Sequence, residues 1–359
     1  MLKVVVICDS PGATQTISFS RPLAPEVAAG RVAFHLAPCA TTAEAADADG
    51  RIHSMRPDVV VLSRCTADAA PGLIASARAV GAAVVAHLDD DLLAVPAALG
   101  ASKHAHYSDP ARLEVLRFTL CESDLVYAST RSLADRLRQH DVRTPIAAGD
   151  IYCSAGRGLT AARLPSTGPV IGYMATGGHG GDLELVLPAI KRLLTDVPDL
   201  RFETLGTIRP PEDLRAFGAR AAHYPGVANY EKFLEKLSDL GWWIGIAPLV
   251  DTPFNRCKAD TKWVEYASCG IPAIASDLPV YHKACAAGAG ALAATTAEWE
   301  HHLRALLANR SARDDMAALA ADRLDRNYAP SILTAQVLNI LNQAMQRSHR
   351  RIQTEDRQA

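Results

Sequence analysis

No apolar run in this sequence approaches the roughly 20 residues that a membrane-spanning helix needs, and the start, MLKVVVICDSPG, reads as a strand entering a glycine turn rather than as a signal peptide. The net charge is only −2, without the basic excess that holds a nucleic acid by counterion release, so nucleic acid is not an expected partner. The eight cysteines (Cys8, Cys39, Cys65, Cys121, Cys153, Cys257, Cys269, Cys285) include no CxxC pair and none at zinc-ligand spacing from a histidine. They read as reduced, half-buried thiols of a cytosolic protein, and no metal centre is expected. There is no GxSxG, no HExxH and no close Cys–His pair, so a hydrolase has no positive support. The first strand runs into Asp9-Ser-Pro-Gly-Ala-Thr14 instead of GxGxxG, and no GK[ST] follows any glycine-rich loop. That removes the usual dinucleotide fingerprint and the Walker A loop.

What is present is an ordinary globular composition, 49% hydrophobic and 21% charged, over 359 residues. That length exceeds one typical core and predicts two domains. In the first half, Lys3–Cys8, Arg31–Leu36, Asp58–Leu62, Ala82–His87, Asp124–Ala128 and Pro145–Ala148 read as strands. Helical patterns at Thr41–Met55, Pro71–Val80, Pro110–Cys121 and Arg131–Gln139 separate most of them. Ser154 to Pro169 is Gly-, Ser- and Pro-rich and reads as a linker. The alternation restarts at Val170–Met174 and continues to three closing helices. Repeated βα alternation predicts doubly wound parallel sheets. The expected domains are residues 1–155 and 169–329, with 330–359 a helix crossing back to the first domain and ending in a polar tail.

Three stretches carry candidate chemistry. In WWIGIAPLVDTPFNRCKADTKWVEYASCGIPAIASD, residues 242–277, a buried strand leads through a loop to a helix. Asn255 is the expected cap of that helix and Gly270 its end. Lys258, Lys262 and Glu265 fall at i, i+4 and i+7, which on one helix is a single face. Two ammonium groups near a strand's carboxyl end suit a diphosphate, and a carboxylate one turn on suits sugar hydroxyls. The same spacing equally describes a solvated face with a Lys–Glu pair. The loop Thr176-Gly-Gly-His-Gly-Gly-Asp182 lies between strand and helix. Its glycines let backbone approach a phosphate, and His179 can donate to phosphate or hydroxyl; the alternative is a flexible loop with Asp182 as a cap. His87-Leu-Asp89-Asp90-Asp91 follows another strand. It suits a metal, a bound hydroxyl or a general base, or is an acidic loop capping a helix at Leu92–Leu93. Cys8 and Asp9 read simply as the end of the first strand.

These residues fit a family pattern. IGYMATGGHGGDLELVLPAI, IAPLVDTPFNRCKADTKWVEYASCGIPAIASDLPVYH and Glu298-Trp299 resemble the donor domain of retaining glycosyltransferases similar to family 4. DVVVLSRC, GAAVVAHLDDDLLAVP and CESDLVYASTRSLADRL resemble the acceptor domain of bacterial polysaccharide-type members. The resemblance covers most of the chain and is densest from Pro248 to Tyr281. It implies the GT-B fold: two doubly wound, Rossmann-like α/β domains facing a cleft. Glu265 then corresponds to the family's ribose-binding glutamate, and Gly270-Ile-Pro272 with Ser276-Asp277 to its GxP…S turn. Cys257 stands where the family has another glutamate, and Asp251 is the nearest carboxylate to replace it. Lys258, Lys262, Gly177, Gly178 and Arg209 become diphosphate ligands, with His179 and Asn255 beside the donor.

The implied reaction moves a sugar from a nucleotide diphosphate sugar to an acceptor hydroxyl with retention, in bacterial glycan or polysaccharide synthesis. Lys258 and Lys262 would stabilise the leaving diphosphate, and Asp89 or Asp90 would orient the acceptor. The sugar nucleotide is the donor substrate, and no cofactor and no metal are expected. The acceptor is a glycan, a lipid-linked or a protein group. The expected place is the cytoplasm; the Arg-rich tail (Arg347, Arg350, Arg351, Arg357) either meets anionic headgroups at the inner membrane face or is disordered. The competing functions are a GT-B epimerase or phosphorylase, a non-catalytic nucleotide-sugar binder or scaffold, and a metal-dependent transferase using the aspartate run.

Overall fold

The computed structural model describes residues 1–156 and 168–358. Most of the expected linker therefore lies outside the described residues. The chain divides into two units: one holds Met1–Ala97, Ser102–Tyr152 and the residues from Ser331 onward, the other Ala98–Ala101 and the described residues of Cys153–Pro330.

The first unit is a parallel sheet of β1 (Leu2–Cys8), β2 (Val32–Pro38), β3 (Val59–Ser63), β4 (Ala83–Leu88), β5 (Leu125–Ala128) and β6 (Ile146–Ala148), in the order β2-β1-β3-β4-β5-β6. Its central strands are continuous apolar runs, as a sheet covered on both faces requires. Thr41 caps the helix Thr42–Met55 and Glu44 returns the bond to its amide. Asp109 and Thr130 cap Pro110–Glu122 and Arg131–Gln139. The helical stretch from Ala13 to Ala28, with a π-helical turn at Thr16–Ser20, was not legible as a helix. Leu92–Leu93 is a turn, so no helix is capped there.

The second unit holds β7 (Val170–Ala175), β8 (Arg201–Gly206), β9 (Ala221–Pro225), β10 (Ile244–Ala247), β11 (Ala273–Ser276) and β12 (Ala291–Ala293). All pairings are parallel and the order is β12-β11-β10-β7-β8-β9, the doubly wound dinucleotide-type order. Its core packs Ile171, Tyr173, Leu183, Phe202, Ile246 and Trp299. Trp299 of the Glu-Trp pair is thus a core residue, and Glu298 completes the capping box of its helix. Both sheets have a switch of strand order, at β1/β3 and at β7/β10, where loops diverge and leave a crevice.

Glycine decides the packing behind the second switch. A Cβ on Gly172 of β7 would lie 1.8 Å from the Trp242 ring. Trp242 is fully buried and its indole N–H donates to Glu203 Oε2 at 2.8 Å. Gly172→Ala is therefore expected to overpack the second unit by at least about 1–3 kcal/mol. Urea unfolding checks it, and a midpoint equal to wild type would mean that the ring moves freely.

The last helix, Pro330–Gln358, belongs to the first unit. Leu333, Val337, Ile340, Leu341 and Ala344 are buried. Gln336 Oε1 accepts from the Asp150 and Ile151 amides, and its Nε2 donates to the Ile151 carbonyl and the Tyr127 hydroxyl. The expected disorder after Gln346 is not found. The helix runs through it, and Arg351 Nε donates to Asp124 Oδ1 at 2.9 Å, which anchors the basic segment. No described helix is long and apolar enough to cross a membrane.

Candidate active site

The second-unit site grows from the loops after β7 and β10. After β7, Gly177–His179 forms a tight turn that passes into the short helix Gly180–Glu184, and a second helix starts at Leu187. The helical stretch after the glycine-rich loop is thus in two pieces, Gly180–Glu184 and Leu187–Asp196. The Gly177 N–H donates to Thr207 Oγ1 at 2.9 Å, so that amide is already engaged. A Cβ on Gly178 would lie 2.7 Å from the Leu99 carbonyl oxygen, so glycine is required there by close approach of backbone.

Asp182 organises the site. Its Oδ2 accepts from His179 Nδ1 at 2.6 Å, and its Oδ1 accepts the Val250 amide at 2.8 Å. It therefore ties the loop after β7 to the loop after β10. A carboxylate only accepts, so Nδ1 carries the histidine proton and Nε2 keeps its lone pair. The charge of Lys262, then burial, then the charge of Lys258 push the His179 pKa down to about 4, against the pull of Asp182. The imidazole is thus neutral at pH 7, beside two ammonium groups.

The loop after β10 departs from the helix expected of it. Asn255–Cys257 is a separate tight turn, Lys258 is extended, and the helix is Thr261–Ser268. Asn255 does not cap that helix. Its Nδ2 donates to the Val250 carbonyl at 3.0 Å, while its Oδ1 is buried with no partner among the described residues. Lys258 is not on one helix face with Lys262 and Glu265, because it is extended and the helix begins only at Thr261, after Asp260, whose carboxylate accepts from the Tyr328 hydroxyl. The charges of both lysines nevertheless act on His179. Lys258 Nζ also sits 4.9 Å from the centroid of the Phe254 ring. Glu265 lies one turn beyond Lys262 and is buried.

The other candidates act as scaffold or stand apart. Ser276 Oγ accepts the Leu249 amide at 2.8 Å, which fixes the start of the loop after β10. Asp251 forms a two-pronged pair with Arg256 at 2.5 and 2.7 Å on the surface, so it does not replace the carboxylate missing at Cys257. Cys257 is buried and its thiol turns to the Pro253 carbonyl. Arg209 is exposed and makes no ion pair among the described residues.

In the first unit the aspartate run splits. Asp89 Oδ1 accepts from Arg64 at 2.7 Å, and its Oδ2 accepts from the Thr14 and Tyr152 hydroxyls at 2.8 and 2.9 Å. Burial pushes this carboxyl up, but Arg64, His87 and the two hydroxyls outweigh it and bring the pKa down to about 2. A carboxyl held ionised in this way, with three donors on it, is a weak base at neutral pH. Asp90 Oδ2 lies 3.5 Å from the same guanidinium. Asp91 turns the other way, to Arg136 and His140. Arg64 holds this together from the left-handed region, at φ 52°.

Beside it, at the β1/β3 switch, is a cavity of about 910 Å³ lined by Asp9, Thr14, Thr41, Arg64, Tyr107 and Arg112 among others. Sequence reasoning missed it. Asp9 is more than a strand end: its Oδ1 accepts the Thr66 and Ala67 amides and its Oδ2 the Thr66 hydroxyl. The signal available was an acidic residue directly after the first strand, beside a switch point. Asp182 was missed as an organiser for a similar reason, although its place three residues after His179 was visible.

No protein-family model matches this sequence. No curated protein matches it either. Solved structures do match in fold. The chain is similar over 95% of its length to the whole of Anabaena HepE, solved in complex with UDP-glucose, at a TM-score of 0.69 and 12% identity. Sucrose-phosphate synthase from Thermosynechococcus elongatus matches with a TM-score of 0.65 and 12% identity, over 96% of this chain and 99% of that one. A putative UDP-N-acetylglucosamine 2-epimerase from Listeria monocytogenes matches at 0.53 and 12%, over 94% of each chain. With the two observed sheets, this likeness establishes the expected GT-B fold.

Proposed function

We propose that the protein transfers a sugar from a nucleoside diphosphate sugar to an acceptor hydroxyl, with retention, in the synthesis of a bacterial-type polysaccharide or other glycan. The observation that carries this reading is the link that Asp182 makes between the glycine-rich loop after β7 and the loop after β10, where the charges of Lys258 and Lys262 act on His179. In such a site the lysines and the Gly178 amide take the charge that develops on the leaving diphosphate. Glu265 takes the ribose hydroxyls. His179 Nε2, an acceptor because Asp182 holds its other nitrogen, accepts a hydrogen bond from a sugar hydroxyl. The hydroxyl-rich cavity at the β1/β3 switch, with Asp9 and Arg112, takes the acceptor in place of the saturated Asp89. Anabaena HepE, bound to UDP-glucose, supports a sugar nucleotide as donor. No step at the donor site needs a metal, so binding of the sugar nucleotide should survive excess chelator.

A panel of nucleoside diphosphates and their sugars tests the reading by thermal shift. A ligand at a hundred times its Kd stabilises by about 2.7 kcal/mol. For a unit of this size that raises the midpoint by roughly 5–10 °C. If no member of the panel moves the midpoint, the donor assignment fails. The epimerase among the similar structures favours one second reading, conversion of the sugar nucleotide without an acceptor. Consumption of the best-binding sugar nucleotide in the absence of any acceptor hydroxyl other than water, with a new sugar nucleotide formed, would favour that reading.

A further inference from the structure

Three neighbouring strands of the first unit, ordered β2-β1-β3, each lead to a side chain that can ligate a zinc-like divalent cation. Asp9 follows β1, Cys39 follows β2, and Cys65 lies two residues beyond β3. Parallel strands place their carboxyl ends at one edge, so residues far apart in sequence meet there. One ligand atom from each lies within 4.8 Å of the other two. The two sulfurs are 3.4 Å apart, and Cys39 Sγ is 4.0 Å from Asp9 Oδ1. A tetrahedral zinc ion with Zn–S bonds of about 2.3 Å needs its ligand atoms about 3.7 Å apart, so both distances sit close to the required edge. A disulfide, by contrast, needs the sulfurs near 2.05 Å.

We propose that Asp9, Cys39 and Cys65 form a binding site for a zinc-like divalent cation in the wall of the first-unit cavity. Asp9 and Cys39 line that cavity, and Cys65 is flanked by its lining residues Arg64 and Thr66. The surroundings hold the carboxylate in place as an outer shell does in known sites. The Thr66 hydroxyl donates to Asp9 Oδ2 at 2.5 Å, and Arg112 donates to Thr66 Oγ1 at 2.8 Å. Arg112 itself lies 3.5 Å from Asp9 Oδ2, and its charge offsets the net −1 of a site with two thiolates and one carboxylate around a divalent ion. Oδ1 already accepts the Thr66 and Ala67 amides, at 2.9 and 3.1 Å, so the cation competes with the longer of these bonds. Binding forms two metal–sulfur bonds and one metal–oxygen bond, and releases one proton from each thiol to solvent. The site stands independently of the donor site in the second unit.

The test uses the full chain, reduced, stripped with chelator and titrated with Zn(II), and with Co(II) as a spectroscopic probe. Expected are uptake of one ion per chain, a native mass equal to the chain plus zinc less two protons, and a sulfur-to-cobalt charge-transfer band. Cys39→Ser and Cys65→Ser should each weaken binding by more than the 10–100-fold lost with an outer-shell partner. X-ray absorption on the zinc-loaded wild type reads the sulfur count directly, so the result stands even if a variant fails to fold. No stoichiometric uptake by the wild type, a coordination shell without two sulfurs, or undiminished affinity in both serine variants overturns the assignment. So does a Cys39–Cys65 disulfide in the protein as isolated.

Discussion

Lys262→Ala is expected to lower kcat/KM by roughly 10²–10³, the loss of about 2.7–4 kcal/mol that follows removal of one donor from a transition-state charge. The substrate for the measurement is whichever sugar nucleotide stabilises the wild type most. A second readout needs no turnover. The charge of Lys262 is the largest of the causes that hold His179 near a pKa of about 4. Without that cation the imidazole binds a proton more readily, so its titration moves up towards the ordinary histidine range, while burial and Lys258 keep it below. Ring resonances followed against pH measure this directly. Unchanged His179 titration would mean that Lys262 does not face the histidine, and unchanged turnover would mean that it does not face the diphosphate.

The second large effect is on stability. Asp89→Ala is expected to cost about 3–5 kcal/mol, because the guanidinium of Arg64 is left buried without its principal partner. The two tyrosine and threonine hydroxyls lose their acceptor as well. Asp89 has a folded pKa of about 2 against an ordinary 3.8, so its charged form is favoured by folding. That contribution, about 2–3 kcal/mol, is complete above the unfolded value and fades as pH falls through the folded one. Denaturant unfolding of wild type and Asp89→Asn should therefore differ at neutral pH and converge towards pH 2. A gap that persists to pH 2 would show that the loss lies in packing and not in charge. A loss of turnover without loss of stability would restore the acceptor role that the saturated geometry argues against.

Strand positions were legible because a sheet covered on both faces demands continuous apolar runs. Val59–Ser63 and Val170–Ala175 were located to within a residue for that reason. Helix continuity was less legible. Lys258 and Lys262 have helical spacing, yet the chain is extended at Lys258 and the helix starts anew after Asp260, whose carboxylate accepts from the distant Tyr328 hydroxyl. Periodicity has no access to a partner 68 residues away. The same applies to Asp89, whose neighbours in sequence are carboxylates but whose neighbours in space are Arg64, Thr14 and Tyr152. His179 was legible as a loop residue, but its neutral state depends on lysines about 80 positions away and could be read only from the folded chain. The thiol pair failed the spacing rules for metals because its ligands sit on three separate strands. Only the strand order brings them together.

The last helix has a consequence for how the chain matures. The Thr334 hydroxyl donates to the Pro22 carbonyl, across 312 positions of sequence, and Leu333, Val337, Ile340 and Leu341 are buried in the unit that holds the first strands. During synthesis the first unit therefore waits, with part of its apolar interior exposed, while the ribosome makes every residue of the second. Nascent chains commonly fold from the N-terminus onward. Here the later-made unit is the one able to complete itself first, and a ribosome stall before Ser331 leaves a finished second unit attached to an unfinished first one.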